Sequence, residues 1–256
     1  MNHIRAEGIV IRSYDYGEGH RIVLIYTKDM GKIRASARGS RKIRSKFASF
    51  LEPLTGNRFM LYRRGDNPVY TLTGVEVFNP YSALREDMRR FGYGSLMLEI
   101  VDILCCDEDP DIELYFLLLE ALTDLETGPS ASTAWLFLFR ALKLAGYRLN
   151  MFRCCECGVK PPGGAVFSPP AGGIICSSCS PQEPFWSVSE ETLADIKNLG
   201  PGAELKSGSE KAIGNIITKY IKYQLDREIR STGFLEIFKD NVLSGTDRDT
   251  KQLLGR

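Results

Sequence analysis

Four cysteines carry the spacing of a metal-binding site. Cys154 and Cys157 form one Cys-x-x-Cys pair, Cys176 and Cys179 form a second, and 18 residues separate the pairs. Each pair presents two thiolates at the apex of a turn, and two such apices give the tetrahedral four-sulfur geometry that zinc prefers. With four protein ligands, a single zinc ion would be structural and would have no open position for water. Reduced, unliganded thiols and iron–sulfur ligation are the alternatives.

The second group of candidate functional residues is a run of basic side chains. Residues 32–46, here called the basic segment, contain seven basic side chains and no acid, in a chain of net charge +1. A polyanion fits such a segment best, because neutralised phosphates release condensed counterions; a solvated charged face is the alternative. The predicted phosphate contacts lie on this segment and on neighbouring strands: Arg12, Arg21, Arg34, Arg38, Arg41, Lys42, Arg44 and Lys46.

Aromatic side chains near the basic segment are candidates for base stacking, although each suits core or rim packing equally well. They are Tyr14, Tyr16, Phe47, Phe50 and Tyr62. The basic residues show no recognition-helix pattern, so binding is expected to be independent of base sequence. The chain has two histidines, no GxxxxGK[ST] phosphate loop and no G-x-S-x-G elbow, which argues against ATP hydrolysis and nucleophilic catalysis.

Charge is distributed unevenly along the chain. Residues 1–64 contain 14 Lys and Arg against 5 Asp and Glu, whereas residues 65–129 contain 3 against 14. Such a contrast predicts two different surfaces. The acidic middle is interpreted as a solvated face, with a cluster at a helix start, where the helix dipole favours negative charge. That cluster consists of Asp107, Glu108, Asp109, Asp111 and Glu113.

Size and composition are those of an ordinary globular chain. The 256 residues, 43% of them apolar, suffice for two compact units and a small third. No signal peptide and no apolar stretch of ~18 residues is present, so a cytoplasmic location is expected. In that compartment the seven cysteines would be thiols or metal ligands rather than disulfides.

The elements that must position these residues begin with five short strands. Runs rich in β-branched and aromatic residues, separated by Gly-containing turns, predict strands at 4–14, 21–28, 32–38, 57–64 and 68–78. One long connection after the third strand, which carries most of the basic segment, favours a closed Greek-key barrel of the OB type. An SH3-like barrel is the alternative.

Helical periodicity follows the strands. Helices are predicted at 83–105, 111–126, 131–145, 187–199, 208–230 and 232–240. The predicted class is therefore α+β and multidomain. The predicted domains are an OB-fold at 1–80, a helical domain in two parts at 81–149 and 187–242, a four-cysteine zinc ribbon inserted at 150–186, and a flexible tail at 243–256.

Several stretches resemble the RecO family of DNA repair proteins. They are DYGEGHRIVLIYTKDMGKIRASARGSRK with SKFASFLEPLT, LAGYRLNMFRCCECG with FSPPAGGIICSSC, and YIKYQLDREIRST. The resemblance implies an OB-fold, a helical domain and a zinc ribbon. It also implies a recombination mediator of the nucleoid that binds single- and double-stranded DNA, anneals strands without ATP, and helps to load recombinase. The implied partners are RecR and the acidic C-terminal tail of the single-stranded DNA-binding protein SSB.

An acidic, hydrophobic tail requires an apolar groove with basic rims. The third helix and the C-terminal helix are predicted to supply them through Arg140, Lys143, Lys219 and Lys222, with Trp135 and Phe139 as apolar candidates. Burial of both aromatics in the bundle core is the alternative. Two rival functions are a zinc-ribbon regulatory or scaffold protein whose barrel binds RNA or protein, and a nuclease.

Overall fold

The N-terminal strands close into a barrel. A computed structural model describes residues 3–40, 48–128, 130–179, 185–200, 202–231 and 233. The strands are β1 (His3–Tyr16), β2 (His20–Thr27), β3 (Gly31–Ala37), β4 (Gly56–Tyr62) and β5 (Val69–Asn79). They pair in the order β1-β2-β3-β5-β4 and close between β4 and β1, with β3 and β5 parallel and the other neighbours antiparallel. The predicted five-stranded, OB-like barrel is confirmed, and its strand bounds lie within two residues of those predicted.

Alternation along the strands separates the barrel's two surfaces, because successive side chains point to opposite faces. On β3, Ile33 and Ala35 are buried inside the barrel, whereas Lys32 and Arg34 point outward. The outer surface of the first two strands is apolar where it meets the helices, through Ile9, Ile11, Leu24 and Tyr26. One hydrophobic core therefore spans the outside of the barrel and the helical domain.

The helical domain follows the barrel. Its helices are α1 (Ser82–Glu86), α2 (Met88–Leu104), α3 (Ile112–Thr127), α4 (Ser130–Leu144), α5 (Glu190–Lys197) and α6 (Ser207–Leu225). The single helix predicted over 83–105 is wrong: it breaks at Asp87, whose carboxylate accepts from the backbone N–H groups of Arg89 and Arg90 and caps α2. No helix in the described part of the chain is long and apolar enough to cross a membrane.

Trp135, on the third predicted helix, belongs to the hydrophobic core. Its side chain is buried and meets the Tyr93 ring edge-on, with 6.3 Å between ring centroids. The hypothesis that Trp135 lines a binding groove is therefore wrong, and the alternative of a core residue is correct. Phe139, one turn further on α4, is only partly buried.

The cysteine-containing insertion is a small sheet docked on the last helix. Its strands β6 (Ala165–Ser168), β7 (Gly173–Ile175) and β8 (Trp186–Val188) pair antiparallel in the order β7-β6-β8. Phe167 is fully buried against Tyr220 of α6, with ring centroids 6.4 Å apart. The helix predicted from 187 begins only at Glu190, because β8 takes the preceding residues and Ser189 caps α5.

Candidate nucleic-acid interface and metal centre

The four predicted cysteine ligands converge. The four sulfur atoms lie within 4.8 Å of one another and belong to Cys154, Cys157, Cys176 and Cys179. The sulfurs of Cys157 and Cys176 are 3.7 Å apart. In a tetrahedral thiolate site with metal–sulfur bonds of ~2.3 Å, the sulfurs would lie ~3.8 Å apart. The donor set and its spacing therefore fit a single metal ion.

Backbone groups favour the thiolate form at one corner of this cluster. Burial raises the pKa of Cys154, but hydrogen bonds to its sulfur from the backbone N–H groups of Cys157, Cys176 and Glu156 and from the Cys157 thiol together outweigh burial and lower the pKa to about 6. A thiolate is the metal-binding form of cysteine. The Cys154 corner of the cluster therefore favours a bound cation, whereas hydrogen bonds with the Cys157 and Cys176 thiols raise the pKa of Cys179.

Two arginines of the barrel lie in one cross-strand row on its outer surface. Arg12 of β1 pairs with Leu24 of β2, which pairs with Arg34 of β3. Residues opposite one another on adjacent strands share a face, and Leu24 faces outward into the helical core. Arg12 and Arg34 therefore flank Leu24 where the outer face of the first three strands meets the helical domain. In an OB-fold the face of the second and third strands commonly binds oligonucleotides.

The next row along these strands consists of Tyr14, Ile22 and Ser36. The Tyr14 side chain is half exposed, and Arg12 interacts with it. An exposed aromatic ring beside a guanidinium is a combination that binds single-stranded nucleic acid through stacking and charge. Tyr16 is also exposed, whereas Phe50 and Tyr62 are partly buried.

Carboxylates of the helical domain face the predicted DNA contacts on the barrel. Asp102, near the end of α2, lies 3.1 Å from Arg12 and 3.0 Å from Lys32. The Asp107 carboxylate lies 2.6 Å from the Arg34 guanidinium group. The structure thus brings Arg12 and Arg34 together on one face, and it pairs each of them with an acid.

These contacts change the interpretation of the acidic middle. Asp111 does cap α3 by accepting from the backbone N–H of Leu114, as the helix-start interpretation requires. Asp107 and Glu108 are exposed, as expected, but they bind barrel cations, so their assignment to the helix start is wrong. Sequence reasoning missed their partner Arg63, which lies 3.1 Å from Glu108. The opposite charges of residues 1–64 and 65–129 were the available signal.

Arg21 and Arg38 lie at the end of the barrel from which the long connection departs. Arg21 lies 2.7 Å from Glu52 and 3.5 Å from Asp15. Arg38 is exposed and forms no ion pair with a carboxylate among the described residues. The remaining predicted contacts, Arg41, Lys42, Arg44 and Lys46, lie outside the described residues, as does Phe47.

Both ends of the long connection are anchored to the barrel. The His20 ring nitrogen Nδ1 accepts from the backbone N–H of Gly39, and the Ser40 hydroxyl donates to the Ala37 carbonyl. Beyond it, a short 3-10 helix (Ala48–Leu51) places Leu51 in the barrel interior. The chain therefore leaves the barrel beside His20 and returns to its interior at Leu51.

The predicted partner-binding residues divide between two grooves. Arg140 and Lys143 of α4 line a groove of about 550 Å³, here called the helical groove, with Arg148 and Lys197 on its rim. Its apolar lining consists of Leu136, Phe139, Leu149, Met151, Phe152, Ile196 and Leu199. The structure does not bring the other two predicted residues, Lys219 and Lys222 of α6, to this groove.

Lys219 and Lys222 line a different groove of about 780 Å³ beside the ribbon. The Lys219 ammonium lies over the Trp186 ring, 3.8 Å from its centroid. Lys222 pairs with Asp226 at 2.9 Å and with Glu228 at 3.6 Å. The expectation of one groove shared by α4 and α6 is therefore wrong.

Comparisons with known proteins agree with these features. Family models described as the N-terminal and C-terminal parts of recombination protein O match residues 1–81 and 85–233. The chain is similar to the DNA repair protein RecO of Pelotomaculum thermopropionicum, with 33% identity over 93% of this chain and 95% of that protein. The RecO proteins of Anaeromyxobacter sp. strain K and Rubrobacter xylanophilus are 30% and 34% identical over 92% and 85% of this chain, and over 97% and 90% of their own lengths. The chain belongs to the RecO family of DNA repair proteins.

Proposed function

We propose that this chain is a recombination mediator and not an enzyme. It binds single- and double-stranded DNA without sequence preference, anneals complementary strands and, with RecR, helps to load recombinase onto SSB-coated DNA without ATP. The observation that carries the proposal is the outer face of β1, β2 and β3, where arginines and an exposed tyrosine lie in adjacent rows beside the basic segment. Chromosomal DNA as ligand places the protein in the cytoplasm, at the nucleoid.

Binding is expected to follow the phosphate backbone. Arg38, an exposed residue of the basic segment, lies at the start of the long connection, next to the barrel face. We assign Arg41, Lys42, Arg44 and Lys46 to phosphate contacts on that path. Because guanidinium and ammonium groups recognise phosphates without reading base edges, affinity should vary little with base sequence.

Annealing requires only this surface and base pairing. Neutralised phosphates lower the repulsion between two strands and raise their local concentration, and pairing then supplies the free energy. The chain has no GxxxxGK[ST] loop, which supports a mechanism independent of ATP. Labelled DNA incubated with magnesium and the protein should remain intact, and turnover would favour a nuclease.

We propose zinc as the ion held by Cys154, Cys157, Cys176 and Cys179. Four thiolates at tetrahedral spacing suit zinc, which would be structural with four protein ligands. Bound there, zinc crosslinks the two Cys-x-x-Cys turns. The sheet that carries them packs on α6 through Phe167, so the ion would also support the helical domain.

For the SSB tail, we propose the helical groove. Its rim carries Arg140, Lys143, Arg148 and Lys197, none of its described lining residues is acidic, and the rest of its lining is largely apolar, which suits an acidic, hydrophobic peptide. Arg140 pairs with Glu120 at 3.8 Å through exposed side chains, which a peptide carboxylate can replace. Lys219 and Lys222 are less suited, because the former covers Trp186 and the latter is paired with two acids. Charge reversal at Arg140 and Lys143 should abolish binding of such a peptide, whereas reversal at Lys219 and Lys222 should leave most of it.

The annealing of complementary strands coated with SSB tests the function directly. A variant with Arg41, Lys42 and Arg44 changed to Gln should anneal more slowly and bind every DNA sequence more weakly. Its salt slope on single strands should fall by about 0.7 for each lost contact. The matched control changes Arg153, Lys160 and Lys211, three exposed cations of the ribbon and α6.

Unchanged affinity in the first variant, or an equal loss in the control, would contradict the proposed path. Competition between DNA and RNA of equal length at fixed salt separates this function from an RNA-binding scaffold.

A further inference from the structure

Two arginines of the barrel are held by neighbouring acids of the helical domain. Arg34 Nη1 lies 2.6 Å from Asp107 Oδ2, and Arg63 Nη1 lies 3.1 Å from Glu108 Oε1. The Tyr70 hydroxyl donates to the same Glu108 oxygen at 3.1 Å. Residues 107–109, here called the acidic turn, lie between α2 and α3 and offer two carboxylates that are neighbours in the chain to the guanidinium groups of Arg34 and Arg63.

Backbone contacts hold the acidic turn against the edge of β3. Asp107 forms a parallel bridge with Lys32, and the Glu108 N–H donates to the Lys32 carbonyl at 2.9 Å. Gly31 lies so close that a Cβ there would meet the Asp109 backbone at 2.4 Å. Glu108 has a φ of +56°, a conformation that costs free energy in any residue with a side chain. The carboxylates are thus delivered to the arginines by a firmly docked and locally strained segment.

The two ion pairs themselves are open to solvent. The Arg34 and Asp107 side chains are 51% and 44% exposed, and those of Arg63 and Glu108 are 32% and 41% exposed. Exposed pairs of this kind are weak and exchange readily with other ions. The neighbouring Lys32–Asp102 pair is different, because its side chains are only 10% and 20% exposed. Asp107 also lies 3.7 Å from the Lys32 ammonium, but Lys32 keeps its closer partner Asp102. The carboxylates on Arg34 and Arg63 can therefore be replaced while the domain contact behind them stays in place.

We propose that Arg34 and Arg63 form a further binding position for nucleic-acid phosphates, and that Asp107 and Glu108 occupy it as competing anions until a strand displaces them. This inference depends on the DNA binding proposed above. Guanidinium groups bind phosphate in the same two-pronged manner as carboxylate. Arg34 is in register with Arg12 and one row from Tyr14, so this position continues the proposed path across β3 to the loop after β4.

The acidic turn then weakens the binding of any strand that reaches it, because each phosphate must replace a carboxylate. A position occupied in this way favours release of the strand once pairing is complete. The alternative is that both ion pairs only join the barrel to the helices.

A double-mutant cycle on DNA affinity distinguishes these two roles. In the full-length chain, Asp107→Asn with Glu108→Gln should tighten binding of a fluorescent single strand by about two- to five-fold. The salt slope should steepen by about 0.7 for each arginine released. In a chain that also carries Arg34→Ala and Arg63→Ala, neutralising the two acids should produce no such gain.

The matched control is Glu86→Gln with Glu113→Gln, which removes the same charge from exposed acids that face no barrel cation among the described residues. It should change affinity less than the acidic-turn variant. Should the acidic-turn variant fail to fold, the single change Asp107→Asn, whose partner Arg34 is half exposed, replaces it in the same cycle.

If the wild type binds DNA and the acidic-turn variant binds it with the same affinity, this inference is overturned but the proposed function is not. An equal gain with and without the two arginines would also overturn it, since long-range repulsion would then explain the effect. Wild type that binds no DNA even in dilute buffer would instead overturn the proposed function.

Discussion

Lys32 of the barrel and Asp102 of α2 form a largely buried joint between the two domains. The Lys32 ammonium lies 3.0 Å from the Asp102 carboxylate and also donates to the Asp102 backbone carbonyl at 2.8 Å. Arg12 adds a second cation to the same carboxylate at 3.1 Å. Lys32 therefore belongs to the domain contact, although it opens the basic segment in the sequence.

Replacing Lys32 should destabilise the protein more than replacing its neighbour on the same strand. Lys32→Ala should lower the free energy of unfolding by ~2 kcal/mol, because Asp102 loses one partner of a buried pair while keeping Arg12. Arg34→Ala, which breaks an exposed pair, should cost ~1 kcal/mol or less. Urea unfolding followed by circular dichroism measures both, and equal losses would argue against the buried joint.

Removing the metal should weaken the helical domain as well as the ribbon. We expect one zinc per chain by elemental analysis, its loss in Cys157→Ser, and a lower unfolding temperature for that variant, because the ribbon core packs against Tyr220 of α6. Cys155→Ser, which alters a thiol outside the four-sulfur cluster, should keep the zinc. A full zinc content in Cys157→Ser would contradict this ligand assignment.

The C-terminal segment is tied to α2 by one carboxylate. Glu99 accepts hydrogen bonds from the backbone N–H groups of Arg230 and Ser231 and from the Ser231 hydroxyl, at 3.0, 2.8 and 2.6 Å. Glu99→Ala should cost ~1–3 kcal/mol, because three donors lose their acceptor, and amide exchange at 230–231 should accelerate. Ser231→Ala removes one of the three bonds and should have a smaller effect. Unchanged exchange in Glu99→Ala would show that other contacts hold this segment.

Tyr14 should matter for single strands more than for duplexes. Its exposed ring lies one row from Arg12 and Arg34, so Tyr14→Ala should weaken single-strand binding by ~1–3 kcal/mol through lost stacking. Tyr14→Phe should keep most of the affinity. Tyr223→Ala, which removes an equally exposed ring from α6, is the matched control. A similar loss on duplex DNA would mean that Tyr14 does not stack on bases.

Two adjacent cysteines should differ sharply in reactivity. Burial raises the pKa of Cys105 to about 11, although the Tyr26 hydroxyl lowers it slightly, whereas Cys106 is exposed. At pH 8, iodoacetamide should therefore label Cys106 well before Cys105, as mass spectrometry of the peptides would show. Cys106→Ser isolates the slower thiol. Rapid labelling of Cys105 at pH 8 would contradict its burial.

The same raised pKa gives a pH dependence of stability. The unfolded chain releases the Cys105 proton near pH 9, and the folded chain retains it until about pH 11. Stability should therefore fall as pH rises through this window, and Cys105→Ala should flatten that part of the profile. Unfolding curves at pH 8, 9.5 and 10.5 provide the measurement, and identical profiles for the two chains would contradict it.

Local sequence determined much of this protein. The alternation of β-branched residues specified the five strands, because a strand with one buried face needs a period of two. The Cys-x-x-Cys spacing specified the four cysteines of the cluster, because each pair forms its own turn and needs no distant residue to be recognised. Asp111 was identifiable as a helix start for a similarly local reason.

Only the tertiary structure decided which charges meet. Asp107 and Glu108 are more than forty residues from Arg34 and Arg63 in the chain, and their pairing depends on how the helical domain docks on the barrel, where Leu24 and Tyr26 lie in the shared core. Electrostatic attraction has no sequence period, so composition could show that opposite charges exist but not which ones touch. Arg140 and Lys222 are both cations on helices, and only the packing of those helices decided that they lie in different grooves.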